Sequence, residues 1–306
     1  MLHLPAFPET KKLEISDKSI IEDFVAGFRP YSDYNFTSLY AWDIFGTTEI
    51  CNLFDNLVVK FNDYITNKAF YSFLGSNKVN TTAEILLAKA QEEGLETTLQ
   101  LIPETVAKEL DSDKLVVLED RDQFDYIVSI ESQTSLSGEK NHPKKRRIKK
   151  LLASGMDIQD VALGKLSGHS LTDEIAEVFD TWAKVKVERG LDIRETHNES
   201  RALHRLLAAK ELDAELFTIT LDGKMAAFFI GEPLGSDYFI GHFEKADPNI
   251  EGLFQYIKHS VALNLHARGI KYMNIEQDLG VEGLRHAKMG SHPVHFLKKY
   301  TVSLAN

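Results

Sequence analysis

The hydrophobic pattern changes period twice between Ala214 and Glu276. Apolar residues alternate with polar ones on both sides of Asp222-Gly223 and again over Tyr238 to Glu244. They recur at helical spacing from Gly252 to Arg268, then return to a strand-like run over Lys271 to Glu276. A period of two predicts strands, and a period near 3.6 predicts an amphipathic helix. The Asp-Gly pair predicts a tight hairpin, because both central residues of such a turn need positive φ. The stretch therefore reads strand, strand, strand, helix, strand. A helix fed directly by a strand offers unpaired N–H groups and the positive end of its dipole, so its start at Gly252 and Leu253 is a candidate anion seat.

The rest of the chain repeats this rhythm. Ser16 or Asp17 caps a helix carrying Ile20, Ile21, Phe24, Val25 and Phe28, and a short helix follows over Asp33 to Trp42. Strands are expected at Glu49 to Phe54, Leu57 to Phe61 and Ala69 to Leu74, then a helix from Thr81 or Thr82 to Glu93, stopped by Gly94. Strands at Thr97 to Ile102, Leu115 to Leu118 and Tyr126 to Ile130 close the first half, with a Pro103-led helical turn between the first two. The second half opens with a strand over Ile158 to Leu163 and helices over Thr172 to Arg189 and Asn198 to Leu212. Both halves then give helix, helix, three strands, helix, strand and a short helix, which predicts two copies of one α+β unit. The expected domains are residues 1–135, a basic linker helix within 136–155 that includes Pro143 to Ala153, and residues 156–306 with the candidate anion seat.

Composition narrows the class. A chain of 306 residues with 43% hydrophobic and 26% charged residues is that of an ordinary soluble globular protein. No leader pattern opens it, and no run approaches the roughly 18 apolar residues of a membrane helix. A lone cysteine, Cys51, in an apolar run fits a small buried hydrophobe in a reducing, cytoplasmic setting. The net charge of −11 excludes a nucleic-acid binder that uses its whole surface. Yet Glu139 to Lys150 holds seven Lys or Arg against one Glu, a local +6 that leaves −17 elsewhere. Lys144, Arg147 and Lys150 fall on neighbouring helix faces and are candidate nucleic-acid contacts, or else a solvated linker face.

Polar groups concentrate between Asn274 and His295. Glu276 and Asp278 lie at a strand end, where two carboxylates bearing on one site raise each other's pKa and can accept a proton; they are the candidate catalytic pair, or a charged strand end. Arg285 and Lys288, three apart on a short helix that also carries Glu282, can hold a phosphate or carboxylate, or else form a solvated helix face with Glu282; with His292 they are candidate anion-binding residues. His242 and Glu244 alternate on one strand and are expected to share a face. No third ligand follows at metal spacing, so they read as cleft or core residues rather than a metal site. Core packing is the default for the aromatic stretch Tyr31 to Trp42, with Tyr34 the candidate for a cleft hydroxyl. No serine elbow, Cys–His pair or Walker loop is present.

The run DPNIEGLFQYI, followed by NIEQDLGVEGLRHAKMGSHPV and LKKY, resembles the soluble relatives of the C-terminal domain of phosphatidylglycerol lysyltransferase, kin to the Fem aminoacyltransferases. YSDYNFTSLYAWD and LSGEKNHPKKRRIKKLL extend the resemblance over most of the chain. It implies two GNAT-like sub-domains in tandem, each a mixed, mostly antiparallel sheet flanked by helices. It also implies a donor anion at the Gly252 helix start and a donor cleft lined by the Asn274 to His295 segment. The acyl-CoA loop pattern, Arg or Gln followed by x-x-Gly-x-Gly or Ala, is absent apart from Gly252, which sets aminoacyl-tRNA ahead of acetyl-CoA as donor. No permanently bound cofactor is implied.

Two functions fit. One is an acyl- or aminoacyl-transferase acting on a small-molecule, lipid or peptide amine or a hydroxyl, gaining rate by holding two substrates together. The other is a GNAT-like protein without catalysis that binds or senses a small amino compound, since fold alone does not fix function.

Overall fold

The computed structural model describes residues 2–63, 66–166, 171–190 and 194–305. The chain opens with β1 (Lys11–Lys12), α1 (Lys18–Val25) and α2 (Phe36–Trp42). The helix expected from Asp33 starts at Phe36, because Asn35 caps it by accepting the Ser38 N–H at 2.9 Å. There follow β2 (Glu49–Leu53), β3 (Asn56–Asn62), β4 (Ala69–Leu74), α3 (Val79–Glu92), β5 (Thr98–Pro103), α4 (Glu104–Ala107) and β6 (Leu115–Glu119). The middle comprises β7 (Asp125–Ser129), α5 (Ile130–Ser135), α6 (His142–Leu152), β8 (Ile158–Lys165), α7 (Thr172–Glu188) and α8 (Arg194–Ala208). The last part runs β9 (Glu215–Leu221), β10 (Lys224–Leu234), β11 (Tyr238–Ala246), α9 (Leu253–Ala267), β12 (Tyr272–Asn274), α10 (Glu282–Met289), β13 (His295–Leu297) and β14 (Lys299–Leu304). The class is α+β with mostly antiparallel sheets, as expected, and the repeated element order is present. Among the described residues no helix is long and apolar enough to cross a membrane.

The compact units are not the sequential halves. One comprises residues 1–126, 277–287 and 296–306; the other comprises 127–276 and 288–295. The expected linker helix α6 therefore lies inside the second unit. The last strand of each half is also displaced: β14, from the end of the chain, pairs between β5 and β6 in the first unit, and β7, from the end of the first half, neighbours β12 in the sheet of the second. Hydrophobic period predicts that a strand exists but not which sheet receives it.

The first unit holds the antiparallel sheet β1-β2-β3-β4 and the antiparallel sheet β5-β14-β6. One buried cluster joins Cys51, Val58 and Phe73 to Leu86 of α3, Leu99 and Val302. Burial pushes the Cys51 thiol up to about 12, as suits a small hydrophobe that does no chemistry. Tyr34 is also core: its hydroxyl lies 2.6 Å from Ser72 Oγ on β4, its ring is edge-on to Phe61, and burial raises its pKa well above the usual value. Core packing, the default for this aromatic stretch, holds for Tyr34 with its hydroxyl satisfied, and the cleft role offered for it does not.

The second unit is built on the sheet β13-β7-β12-β11-β10-β9-β8, in which β11 and β12 run parallel. The Asp222-Gly223 turn is as predicted, with φ of 50° and 81° joining antiparallel β9 and β10. Leu253, Ile257, Val261 and Leu265 give α9 an apolar stripe at helical spacing, which packs on Phe217, Ile219, Phe229 and Phe239. Each such side chain, fully buried, contributes about 1.5–3 kcal/mol. This packing fixes α9 against β10 and β11 and so positions the polar groups described next.

Candidate functional site

In the second unit the register between β10 and β11 slips: Ile230 opposes Phe243 but Gly231 opposes Gly241, which leaves His242 as an extra residue. Such a bulge re-aims a side chain. The alternation expected for His242 and Glu244 is thereby broken. His242 Nδ1 lies 3.3 Å from Glu276 Oε1 and its Nε2 lies 3.6 Å from Glu232 Oε1, whereas Glu244 turns to Lys258 of α9 at 3.3 Å. Gly231 and Gly241 make the slip possible, because a Cβ on Gly231 would stand 2.2 Å from the Ile240 carbonyl and one on Gly241 2.5 Å from the Phe229 ring.

Glu232 and His242 are buried, and the Glu276 side chain is 15% exposed. Burial lowers the His242 pKa, but the Glu232 and then the Glu276 carboxylates override it and raise the imidazole to about 9. At neutral pH this is an imidazolium between two carboxylates. Sequence reasoning missed Glu232, because it stands in a long apolar run and meets His242 only through the bulge. β12 ends at Asn274, earlier than expected, and Glu276 lies beyond it at φ 58° with its N–H donated to Asn274 Oδ1 at 2.7 Å. Non-glycine residues adopt that conformation at a cost, and its cause here is the tight turn that carries Glu276 to His242.

Asp278 is different. It belongs to the first unit, is fully buried, and is gripped by Arg285 at 2.7 and 3.0 Å, by Arg121 at 3.2 Å, by the Tyr126 hydroxyl and by the Gly280 N–H at 2.9 Å. Burial acts to raise its pKa, but the Arg285, Tyr126 and Gly280 hydrogen bonds prevail and hold it at about 2. A carboxylate so held is a structural anion and a poor proton acceptor, so the candidate catalytic pair reduces to Glu276. Arg285 is committed likewise, because it also donates to Asp122 at 2.6 Å instead of pairing with Glu282. Lys288, in the second unit, donates to the Ile275 carbonyl at 2.5 Å.

The predicted helix start has a packing explanation. Gly252, at φ 92°, lies so close to α6 that a Cβ would meet the Arg147 carbonyl oxygen at 2.5 Å. Leu253 is fully buried and its N–H bonds to the Ile250 carbonyl at 3.3 Å. Glycine is needed here for close backbone approach, with no ligand required. On α6, Arg147 is exposed, Lys150 pairs with Glu251, and Lys144 is half-buried. Burial and then the charge of Lys258 lower the Lys144 pKa; burial and then Lys144 lower that of His292, whose Nε2 is buried without a hydrogen-bond partner. Beside these groups, Gln133, Glu244, Lys258 and Ser291 face a cavity of about 20 Å³, room for roughly one water. Among the described residues no group of three His, Cys, Asp or Glu side chains is arranged to hold a metal.

Comparison with known proteins gives the lineage. A conserved protein of unknown function from Bacteroides thetaiotaomicron superposes with a TM-score of 0.80 at 26% identity, covering 97% of this chain and 99% of that one. The C-terminal domain of a putative lysylphosphatidylglycerol synthetase from Agrobacterium fabrum gives 0.62 at 12% identity, covering 95% and 92%. L-PGS from Bacillus licheniformis gives 0.58 at 13% identity, covering 94% and 91%. The last two share the fold. No curated protein matches the chain. The family described as "Phosphatidylglycerol lysyltransferase, C-terminal" matches residues 26–303, and the chain belongs to that family.

Proposed function

We propose that this protein is a transferase, built on two GNAT-like halves, that moves an activated acyl or aminoacyl group onto an amine or hydroxyl acceptor, with Glu276 as proton acceptor and His242 as the residue that positions it. The observation that carries this reading is the Glu276 carboxylate held 3.3 Å from the His242 imidazolium just beyond the end of β12, where sheets of this kind present ligands. The acceptor nitrogen or oxygen bonds to the donor's carbonyl carbon. The bond from that carbon to the leaving oxygen or sulfur breaks, and the acceptor's proton passes to Glu276 and on to the leaving atom. Family membership supports an aminoacyl ester as donor and a lipid headgroup as acceptor. The exposed cations of α6 suit the phosphates of an aminoacyl-tRNA. The experiment is to incubate the protein with charged tRNA or acetyl-CoA together with amine, peptide or phosphatidylglycerol acceptors and to identify products by mass spectrometry, with Glu276→Gln as control.

A second reading, a protein that binds a small amino compound without turning it over, draws on the structural roles of Asp278, Arg285 and Gly252. Under it, an acceptor amine raises the melting temperature and no donor is consumed.

A further inference from the structure

The sheet β5-β14-β6 of the first unit ends at β6, whose open edge lacks the devices that keep such edges from pairing. β6 lies along β14 from Leu115 opposite Leu304 to Glu119 opposite Tyr300 without a slip, and it contains no proline. The Asp120 N–H donates to the Lys299 carbonyl and the Ala305 N–H to the Lys114 carbonyl, both at 2.9 Å. In an antiparallel ladder that parity turns the backbone groups of Val116 and Leu118 toward β14 and leaves those of Val117 and Glu119, with the Leu115 carbonyl, on the free side. Among the described residues nothing bonds to them there. On the outer face of the same strand Val116 is 39% and Leu118 60% exposed. Elsewhere the chain blunts its edges: β1 is two lysines long, and β8 carries a slip between Ala162 and Gly164 with Asp160 and Lys165 along it. A regular edge strand with apolar side chains on its open face is a template for another strand.

We infer that the occupant is a second copy of this chain, joined β6 to β6 about a two-fold axis at Val117. The outer face of the strand is self-complementary: Lys114, Val116, Leu118 and Asp120 alternate onto one side, with opposite charges at the two ends and apolar side chains between them. Antiparallel pairing sets each Val116 against the partner's Leu118 and each Lys114 against the partner's Asp120, so two apolar pairs are flanked by two pairs of opposite charge. Parallel pairing would put lysine beside lysine and aspartate beside aspartate. Lys114 is exposed and pairs only loosely, with Glu84 at 3.7 Å. These residues take the non-hydrogen-bonded positions of the new ladder, where facing side chains stand closest. Val117 exchanges both backbone bonds with the partner's Val117, and each Glu119 N–H meets the partner's Leu115 carbonyl, while the Leu115 N–H stays with the Asp111 carbonyl at 3.0 Å. A two-fold contact of this kind closes on itself and stops at a dimer. One strand pair buries less than the roughly 1,200 Å² at which standard interfaces begin, so the association is weak and concentration-dependent. It is independent of the transferase reading.

The test is sedimentation velocity of the full chain from low micromolar to several hundred micromolar, with circular dichroism and melting temperature recorded for every variant. The wild type should pass from monomer to dimer and no further. Val116→Lys and Leu118→Lys, changes at exposed positions, should weaken the dimer about tenfold or more while leaving the fold intact, because each change enters the two-fold contact twice. Leu263→Lys, at an exposed apolar position of α9, should leave association unaltered. Lys114→Asp and Asp120→Lys should each weaken their own dimers by setting like charges face to face. An equimolar mixture of those two variants should recover, since each aspartate then faces a lysine in the mixed dimer; a non-specific apolar contact gives no such recovery. Should Asp120→Lys not fold, the register is tested by Val116→Cys combined with Leu118→Cys, whose Cα atoms stand about 4.5 Å apart across the axis and within disulfide reach, so that oxidation links two copies. A wild type that stays monomeric throughout would overturn the proposal and leave the edge to a strand of a different protein. Wild-type association in folded Val116→Lys and Leu118→Lys, an equal loss in Leu263→Lys, or no recovery in a mixture of folded charge variants would overturn it as well.

Discussion

Arg285 holds both oxygens of Asp278: Nε donates to Oδ2 at 3.0 Å and Nη2 to Oδ1 at 2.7 Å. With Arg121, Tyr126 and Gly280 completing the shell, the carboxyl is held at about 2, below its usual 3.8. A depressed carboxylate stabilises the fold above its unfolded pKa, and that contribution is lost as the pH falls through the folded value. The shift corresponds to roughly 2 kcal/mol. Urea unfolding between pH 5 and 2 should show the wild type losing this amount, and Asp278→Asn, already less stable at pH 7, should show a shallower fall.

Lys299 is a fully buried cation of the first unit, paired with Asp125 at 2.8 Å and with Asp33, while Ser32 donates to Asp125 through its N–H and hydroxyl. Lys299→Met leaves two buried carboxylates without their counter-charge and should destabilise by about 3–5 kcal/mol. Adding Asp33→Asn and Asp125→Asn to that variant should restore much of the loss in a denaturant titration.

Burial raises Asp33 to about 6 against the opposing pull of Lys299. A raised carboxyl gives stability below its unfolded pKa that is lost as pH rises through the folded value. Between pH 4 and about 6, therefore, wild type should lose stability with rising pH relative to Asp33→Asn.

Gly252→Ala should lower the melting temperature through the 2.5 Å approach of its Cβ to the Arg147 carbonyl and through strain at φ 92°. A cost of about 1–3 kcal/mol is expected, shifting the melting temperature by several degrees.

His242, raised to about 9, contributes stability that is fully present below its unfolded pKa near 6.5 and is lost as pH rises through the folded value. His242→Gln should abolish that slope between pH 7 and about 9.5, as read by thermal unfolding across the range.

Elements governed by local chemistry were legible in the sequence. The Asp222-Gly223 hairpin, the α9 stripe and the repeated element order all follow from turn residues and hydrophobic period. What could not be read depended on pairing partners distant in the chain. The slip opposite Gly231 separates His242 from Glu244 and brings in Glu232; alternation carries no trace of it. Asp278 looked like a base because it stands two residues beyond Glu276, but Arg121 and Tyr126, far earlier in the chain, turn it into an anchor. Lys299, one of two adjacent lysines near the C-terminus, gave no sign of being fully buried, because that depends on Asp33 and Asp125. Gly252 was located correctly; its reason, the Arg147 backbone, was not visible.

The central claim is that Glu276 accepts the acceptor's proton during group transfer. The most direct measurement is the initial rate of transfer of a radiolabelled aminoacyl group from charged tRNA to phosphatidylglycerol vesicles, for wild type and Glu276→Gln at matched donor occupancy. Loss of a positioned proton acceptor should lower the rate by about 10²–10⁴-fold with donor binding unchanged. A Glu276→Gln protein that transfers at the wild-type rate would contradict it.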